Sequence, residues 1–556
     1  MKKINFLIKK NNIKTLLVIG AVIIFIVYFL HPLLREEMYV SHDSEPQIVR
    51  IGAFYKAITS GQIPPRWASD LNYRYGSPTL NFFFPLEGYL GTIIHLIGFN
   101  LQNTFKILMG ASFIFSIVFF FYWLREIFDK NTAFFGAVLY GIVPYKFLDM
   151  YVRGQLGEML AFVFVPLVLL FIEKNKKNSR IENVIIGGIS YALLILSHNI
   201  LALIFSVVFA GYLLTNNWFN KDAILKNGLM LVTGLFLAAF FWLPALYESK
   251  YVNSKIFVGD MFKNHFIEPQ NLIYSAWGYG SNINEAGGLS PYLGPMHFLF
   301  ALLSLVFIVI SRNKVRNKRI FYYWLVILVF SLFMSTKLSS IFWQEFHIIQ
   351  QFQFPWRFMA LSSFAISVIG AFSFSVIKDK SIIVIGIIIL ILISGSIIKV
   401  SDYTNKEDSY YLDYPGTAAY HGEATTIWTA GDADKFAKSQ IEVIEGQLII
   451  KEYIKKPNIH TLFVDSKTEA RIVDNTVYFP GWKAYVDNKK TSIEFQDINH
   501  RGLITFKVPE GVHKVEIKFE ESPIRISANF ISFFTLIIVI LFLLKRKYIN
   551  NAIIKL

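Results

Sequence analysis

The sequence FKILMGASFIFSIVFFFYWLREIFDKN, residues 105–131, is a long apolar run that ends in a short charged segment. A helix needs about 20 apolar residues to cross a hydrocarbon core roughly 30 Å thick. Apolar runs of about 17 to 22 residues, the length of a spanning helix, recur along most of the chain. Inside a bilayer only helices and closed barrels satisfy every backbone polar group. The sequence therefore predicts a polytopic α-helical membrane protein.

Composition supports the same fold class. Of the 556 residues, 54% are hydrophobic and 17% are aromatic, which is too apolar for a soluble protein of several domains. The net charge is +15, but the Lys and Arg residues lie in short segments between apolar runs, which is typical of a topology signal. We therefore expect membrane lipids, and not nucleic acid, as partners. The absence of Cys excludes disulfides, Cys-based zinc sites and thiol catalysis.

Six basic segments predict the topology. Cytoplasmic loops of membrane proteins carry an excess of Lys and Arg, and assigning all six segments to the cytoplasm gives about twelve crossings. The first apolar run, residues 15–30, follows a basic segment and has no small-residue cleavage site, so we expect an uncleaved anchor and cytoplasmic termini. The basic segments are residues 125–131, 173–180, 220–227, 311–319, 378–380 and 545–547.

One apolar stretch cannot be a membrane span if the number of crossings is to agree with this topology. Two stretches, residues 81–99 and 105–124, lie where an odd number of crossings is required. The first contains Pro85, Glu87 and His95, so we expect it to form a re-entrant or interfacial helix pair. Most polar motifs then fall on the outer side of the membrane.

The chain divides into three predicted parts. Residues 1–400 form the multi-span membrane domain, which has a large first outer loop at residues 32–104. Residues 401–525 alternate apolar and polar side chains, as in KVEIKFE and GQLIIKEYI, and predict an outer antiparallel β-sandwich of six to eight strands. This domain is either a carbohydrate-binding module or a lid or partner surface. Residues 526–556 form a final transmembrane helix and a basic cytoplasmic tail.

The first outer loop carries the strongest catalytic candidates. Residues 46–61 have apolar side chains at helical spacing and predict an amphipathic helix lying on the membrane. The preceding HDSE places Asp43 and Glu45 at its N-terminus, where a carboxylate stays ionised and can act as a general base. The alternative is that both acids only cap a solvated loop.

Three further motifs place polar side chains near the same membrane boundary. QFQFPWRF puts Arg357 in the first turn of a spanning helix, where it either binds a phosphate or extends to the interface. DMYVRGQLGEM brings Arg153 and Glu158 into a short turn, with a structural ion pair as the alternative. SHN places His198 in a tight turn, and the alternative is that Asn199 only caps the next helix.

These motifs, taken together, resemble those of a known family. The order SGQIPPRW, YGSPTLNFFFPL, PYKFLDMYVRGQLGEMLA, LSHNILAL and FQFPWRF resembles a bacterial integral-membrane family labelled as related to pyruvoyl-tetrahydropterin synthase. The segments YFPGWKAYVDNKK and VPEGVHKVEIKFEESP look like its YfhO-like branch. A soluble pterin synthase uses a catalytic Cys, which this chain lacks. The architecture resembles the GT-C glycosyltransferases, so the expected fold is GT-C-like.

The resemblance implies a membrane glycosyltransferase of the bacterial plasma membrane. A polyprenyl-phosphate donor would give its sugar, with inversion, to a hydroxyl of a cell-envelope glycan or lipid. Asp43 would be the general base, and Arg357, with Arg153 or Arg66 as rivals, would stabilise the departing phosphate. No cofactor is expected, although a divalent metal at Asp43 and Glu45 is left open. The residues predicted to bind substrate are His42, Arg66, Trp67, Arg153, Glu158, His198, Trp277 and Arg357.

Two other functions remain open. A transporter or lipid flippase is also polytopic, but such proteins usually carry charges in mid-membrane, and the predicted spans have almost none near their centres. A non-catalytic assembly factor for the cell envelope would use the outer sandwich to recruit a partner.

Overall fold

The computed structural model describes residues 23–177, 180–217, 220–254, 259–310, 317–376, 380–420 and 422–553. The predicted anchor at residues 15–30 and the basic segments at residues 173–180, 311–319 and 378–380 lie partly outside these ranges.

Most of the described chain is helical, and the helices build one large apolar core. Pro144–Phe147 continues directly into a π-helical turn, Leu148–Arg153. The helices are α1 Ile23–Leu34, α2 Ser44–Thr59, α3 Thr79–Phe82, α4 Leu86–Leu96, α5 Leu101–Ile127, α6 Lys130–Gly141, α7 Pro144–Phe147, α8 Leu156–Lys177, α9 Ile181–Ser197, α10 Asn199–Asn217, α11 Lys221–Leu237, α12 Ala239–Glu248, α13 Pro295–Ile310, α14 Lys318–Ser335, α15 Ser340–Glu345, α16 His347–Gln350, α17 Phe358–Val376, α18 Lys380–Ser394, α19 Asp408–Leu412 and α20 Pro523–Ile553.

The number of membrane spans depends on how the shorter helices are counted. Among the described residues, six helices are long and apolar enough to cross a membrane, and two bent pairs raise this number to eight. In the first pair, α6 is followed by Pro144–Arg153, which combines α7 with the π-helical turn and is called the α7 segment below; the bend is 47°. The second pair is α11 with α12, bent by 66°. Four shorter apolar helices, including α9 and α13, would complete the twelve predicted crossings if they also cross. The prediction of a helical membrane protein is confirmed.

Described residues of three basic segments, at residues 125–131, 173–180 and 311–319, meet at one end of the helical bundle. Lys177, at the end of α8, forms a 2.8 Å ion pair with Glu126 at the end of α5. The Asn317 side chain, just before α14, donates to the Ile127 carbonyl at 2.9 Å. Since α8 is 22 residues long, its start lies about 33 Å from this end. The clustering agrees with the predicted assignment of these segments to one side of the membrane.

Residues 81–99 do not form a span, as predicted. They contain the end of α3 and the 11-residue helix α4, which is only about 16 Å long. The stretch at residues 105–124 lies within α5, which is long enough to cross. The predicted odd number of crossings is therefore obtained without reversing the later segments.

The helix at residues 46–61 forms, but it does not lie freely on a membrane surface. Helix α2 packs against α4, α5 and α19. Its polar residues Gln47 and Arg50 are buried along with its apolar ones. Arg50 reaches Glu87 on α4 at 3.4 Å, and this pairing makes its burial possible. Helix α2 is therefore an internal element that positions the residues at its N-terminus.

The C-terminal part contains the predicted β-sandwich. A five-stranded sheet in the order β4-β5-β10-β7-β8 faces a three-stranded sheet in the order β3-β6-β9, and both share one apolar core. A separate short ladder pairs β1 with β2. The strands are β1 Met38–Tyr39, β2 Tyr403–Thr404, β3 Ile441–Glu445, β4 Leu448–Lys456, β5 Ile459–Ser466, β6 Ala470–Val477, β7 Trp482–Val486, β8 Lys489–Thr491, β9 Leu503–Val508 and β10 Gly511–Phe519.

A buried polar pair lies inside the sandwich. His460 Nδ1 and Asp474 Oδ2 are 2.5 Å apart, and both side chains are buried. Gln440 and Thr476 also donate to the carboxylate. Burial acts to raise the pKa of Asp474, but the charge of His460 and these hydrogen bonds outweigh it, so this pKa lies below its usual value.

We predict that Asp474→Asn lowers the free energy of unfolding by about 2 kcal/mol, the usual contribution of hydrogen bonds to a charged group. Because the folded-state pKa is depressed, the contribution of Asp474 is present above the unfolded value and is lost as the pH falls through the folded value. The loss therefore occurs below about pH 4. Thermal unfolding of the full chain in detergent, measured against pH, tests this. Asp465→Asn, which alters an exposed pair with Lys451, should change little.

Candidate active site

Asp43 is held in place by residues 152–156, which lie where the α7 segment meets α8. We call these residues the connector. Its backbone amide donates to the Arg153 carbonyl at 2.8 Å, and the His42 amide donates to the Val152 carbonyl at 2.9 Å. Gln155 Nε2 donates to Asp43 Oδ2. The Asp43 side chain is half-buried and has no ion-pair partner within 4 Å among the described residues. Its carboxylate is therefore fixed in position and free to accept a proton.

The first turn of α2 docks closely on the same connector. Gln47 donates to the Gly154 carbonyl at 2.8 Å and accepts from the Leu156 amide at 2.9 Å. Gly154 has a φ of +69°, and a Cβ there would lie 2.2 Å from Ser41 Oγ. The approach of the two segments therefore requires glycine at this position.

Three buried charges stabilise the connector. Arg153 donates through Nη1 to Asp149 and through Nη2 to Glu158 Oε1 at 2.8 Å. The Arg153 side chain is 4% exposed, and the side chains of Asp149 and Glu158 are 0% exposed. The predicted pairing of Arg153 with Glu158 is confirmed, and Asp149 is a second partner that the prediction lacked. Because two carboxylates already neutralise Arg153, we do not assign it to phosphate binding.

The start of α17 approaches this charged triad through an aromatic contact. A 3₁₀ turn, Pro355–Arg357, leads into the helix, as the motif at residues 351–358 predicts. The guanidinium of Arg153 lies 4.4 Å from the centre of the Trp356 ring, and this tryptophan is also stacked with Phe354. This contact positions the next residue, Arg357, close to the connector.

Arg357 is a buried cation that has no ion-pair partner in the described part of the chain. It is 8% exposed, and its Nη1 donates to Gln353 and, at 3.2 Å, to the Phe352 carbonyl. Its buried Nε has no hydrogen-bond partner, and among the described residues no carboxylate lies within 4 Å of the guanidinium. Asp43 and Glu158 are close enough to act on its charge. The arrangement leaves Arg357 able to receive an anion.

His198 lies next to Glu158, one of the two carboxylates that pair with Arg153. It is the single residue between α9 and α10, which confirms the predicted tight turn. Its Nε2 lies 3.9 Å from Glu158 Oε1, and its ring packs on Phe84. Burial lowers the pKa of His198 to about 3, although Glu158 opposes this shift. The imidazole is therefore neutral at physiological pH and does not carry charge for a substrate.

Glu45 is engaged elsewhere, unlike Asp43. Lys406 forms an ion pair with it, and Tyr410 donates to its Oε1 at 2.9 Å. A metal shared by Asp43 and Glu45 does not fit this arrangement, because Glu45 already has two partners. In the described part of the chain, no group of three or more His, Asp or Glu residues is close enough to hold a metal ion.

The loop between α12 and α13 covers the site at His42. His42 Nε2 lies 2.7 Å from the Tyr279 carbonyl, so the exposed imidazole contacts this loop. Trp277, two residues away, is half-buried against the helical core. Both residues remain candidates for substrate contact at the edge of the site.

Arg66 and Trp67 lie at the junction between the sandwich and the helices instead. Trp67 is 1% exposed and contacts Trp482 edge to face and Phe519 at 5.4 Å. Arg66 donates to the Phe240 carbonyl at 2.7 Å. Protein side chains occupy the surfaces that a sugar or a phosphate would need, so we assign both residues to the junction.

Sequence reasoning missed three residues around Asp43 and Arg153. Gln155 and Asp149 both fall within the motif DMYVRGQLGEM, and the spacing of Asp149 from Arg153, four residues on, was a usable signal. Glu423 lies more than 370 residues from Asp43, yet the charges of Asp43, Arg357 and Arg50 act on it. No local pattern in the sequence indicates that proximity.

Comparison with known families supports the sequence resemblance. A family model described as "6-pyruvoyl-tetrahydropterin synthase related domain; membrane protein" matches residues 80–402, which is more than half of the chain. The chain belongs to this family. No curated protein matches its sequence.

Several solved structures are similar to this family member. The apo oligosaccharyltransferase of Archaeoglobus fulgidus matches with a TM-score of 0.45 and 15% identity, over 77% of this chain and 62% of its own. The arabinofuranosyltransferase AftD from Mycobacteria matches with a TM-score of 0.45 and 14% identity, over 69% and 26%. ArnT from Cupriavidus metallidurans, bound to undecaprenyl phosphate, matches with a TM-score of 0.28 and 11% identity, over 65% and 78%. The chain thus spans less than two thirds of the oligosaccharyltransferase.

In this family member we predict stability effects of different size for its two central arginines. Arg153→Met leaves two buried carboxylates without their partner and should lower the free energy of unfolding by about 3 to 5 kcal/mol. Arg357→Met removes a buried cation that has no ion pair, so it should cost less than about 1 kcal/mol. Thermal unfolding of the two variants in the same detergent measures both. Equal destabilisation would contradict the assignment of Arg357 as the unpaired cation.

Proposed function

We propose that this protein is a membrane glycosyltransferase that transfers a sugar from a polyprenyl-phosphate donor to a hydroxyl acceptor. One observation carries the proposal: a fixed carboxylate without an ion pair, Asp43, lies within electrostatic range of a buried arginine without an ion pair, Arg357. The architecture, which resembles that of the GT-C glycosyltransferases, supplies the reaction class. The contacts around the two side chains supply their roles.

Asp43 is the general base in this mechanism. Its carboxylate accepts the proton of the acceptor hydroxyl as the acceptor oxygen attacks the anomeric carbon of the donor. The bond from that carbon to the phosphate oxygen breaks, and its electron pair leaves with the polyprenyl phosphate. Attack opposite to the leaving group inverts the anomeric centre. Gln155 keeps the carboxylate directed towards the site.

Arg357 binds the phosphate of the donor. A charge-assisted hydrogen bond from a guanidinium to phosphate is strong, and burial increases its effect on the charge that develops as the sugar departs. Arg357 directly precedes α17, and both lie in the candidate membrane span Pro355–Ser375. A lipid phosphate at the bilayer boundary would therefore meet Arg357 while its polyprenyl chain remains in the membrane.

We place the site at the outer face of the membrane. The basic segments at the ends of α5 and α8 lie at the opposite end of the bundle from Asp43, and basic ends favour the cytoplasm. A phosphate-linked lipid sugar carries its own leaving group, so the reaction at the outer face needs no nucleotide. The acceptor would be a glycan or lipid of the cell envelope.

A specific observation also favours lipid transport as a second candidate. Lys146 is 1% exposed inside a bent span, where its Nζ donates to Ser116 Oγ at 2.8 Å and lies 3.6 Å from the centre of the Tyr140 ring. Buried charges in broken helices are typical of transporters. Transbilayer movement of a labelled polyprenyl phosphate in vesicles, compared between the wild type and Lys146→Met, separates transport from sugar transfer.

We predict that Asp43→Asn lowers the rate of sugar transfer by about 10² to 10⁴, the usual contribution of a general base. The assay is donor consumption and product formation by the purified protein in vesicles. Glu45→Gln is the matched control, because this neighbouring acid is already paired with Lys406, and it should retain most of the activity. Retained transfer in Asp43→Asn would reject the catalytic role.

We predict that Arg357→Met lowers kcat by about 10² to 10³, the size of effect seen when one preorganised charge-stabilising donor is removed. Arg357→Lys should recover part of the loss, because it restores the charge without the planar guanidinium. Single-turnover measurements with saturating donor separate this effect from weaker binding. An unchanged kcat in Arg357→Met would exclude Arg357 from leaving-group stabilisation.

A further inference from the structure

The segment that follows α18 lies along helix α2 and closes one side of the site. Near its beginning, Lys406 and Tyr410 both contact Glu45 in the first turn of α2. Further along, the Ala418 carbonyl accepts a hydrogen bond from Arg50 Nη1 at 2.9 Å. Glu45 and Arg50 are five residues apart on one helix, so the segment runs beside α2 from its first turn onwards.

The same segment is fastened on its other side to the loop after α12. The Asn253 amide donates to the Thr425 carbonyl at 3.0 Å, and the Ile427 amide donates to the Tyr251 carbonyl at 3.1 Å. The described residues on either side of residue 421 are therefore held by hydrogen bonds, at Ala418 on one side and at Thr425 and Ile427 on the other. A side chain on this segment has a defined position relative to α2.

Glu423 is the acid that this segment presents. Gly422 adopts a φ of +74° in the turn, and the Tyr420 amide donates to Glu423 Oε1 at 3.2 Å. Among the described residues, no Lys, Arg or His lies within 4 Å of the Glu423 carboxylate. The charges of Arg357 and Asp43 act on it, and burial raises its pKa.

The distribution of charge assigns different substrates to different sides of this site. Arg357 attracts the donor phosphate, whereas carboxylates repel phosphate and accept hydrogen bonds from hydroxyls. Asp43 already accepts the proton of the attacking hydroxyl in the proposed mechanism. Glu423 lies on a segment that contacts the same helix α2, and the charge of Asp43 acts on it, so its carboxylate has the chemistry to hold another hydroxyl of the same acceptor.

We propose that Glu423 binds a second hydroxyl of the acceptor, so that the acceptor is polyhydroxylated, as a sugar or glycan is. This inference rests on the proposed function and deepens it, because it names the acceptor class and a specificity-determining residue. The acceptor sugar then lies between α2 and the loop that carries Glu423. The donor phosphate lies on the side of Arg357.

The test compares two kinds of acceptor with the full-length protein in vesicles that contain an undecaprenyl-phosphate-linked hexose. A panel of methyl hexopyranosides supplies several hydroxyls, and cyclohexanol supplies a single hydroxyl on a ring of the same size. We expect Glu423→Gln to lower kcat/KM about tenfold to a hundredfold for the hexosides that the wild type accepts. Transfer to cyclohexanol and slow hydrolysis of the donor should be unchanged.

Glu407→Gln is the matched control. Glu407 lies in the same segment, but it contacts Ser409 and lies outside the proposed site, so transfer to both acceptors should be unchanged. Thermal unfolding of both variants checks that the segment remains folded. An equal loss for hexosides and cyclohexanol in Glu423→Gln, or no loss at all, would overturn the assignment.

A binding measurement separates this inference from the proposed function. Saturation-transfer NMR should detect the hexosides on the wild type and on Asp43→Asn, but not on Glu423→Gln. If the wild type cleaves no lipid-linked donor, the proposed function fails, and hexoside binding still decides the role of Glu423. Absence of hexoside binding to the wild type, or equal binding to Glu423→Gln, would reject it.

Discussion

The buried ion pairs of Arg153 with Asp149 and Glu158 determine how the site is assembled. These charges lie at the junction of a π-helical turn and α8, where they are almost completely removed from solvent. Burying a charge costs much less when the charge is paired and hydrogen-bonded, so the three side chains fix the local backbone. The carbonyl of Arg153 then accepts a hydrogen bond from the amide of Asp43, and its guanidinium packs on the ring of Trp356. One cluster thus orients both the first loop and the start of α17.

The same arrangement explains why two arginines that look alike in the sequence differ in chemistry. Arg153 is neutralised by its carboxylates and acts through its backbone and its ring contact. Arg357, next to Trp356, has only neutral hydrogen-bond acceptors and an unpartnered Nε. A buried cation without a counterion is costly, and an anionic substrate removes that cost. The donor phosphate in our proposal is such a counterion.

The sandwich is connected to the helices by buried polar contacts as well as by apolar packing. Arg525, in the first turn of α20, is fully buried and donates to Glu248 at 3.0 Å and to the Pro480 carbonyl at 2.9 Å. Trp67 from the first loop enters the core of the sandwich. The segment that carries Glu423 contacts α2 through Ala418 and the loop after α12 through Thr425. In our proposal it forms one wall of the site.

The sequence by itself determined the membrane class, the common location of the basic segments, the strands of the sandwich and the candidates Asp43 and Arg357. These features are local, because an apolar run, a strand alternation or a charge beside a span is visible within about 20 residues. Only the tertiary structure decided which charges are paired. Glu45 is neutralised by Lys406 from more than 300 residues away, and Glu423 reaches the site from a similar separation. An ion pair requires two atoms within a few ångströms, and no local pattern records that distance.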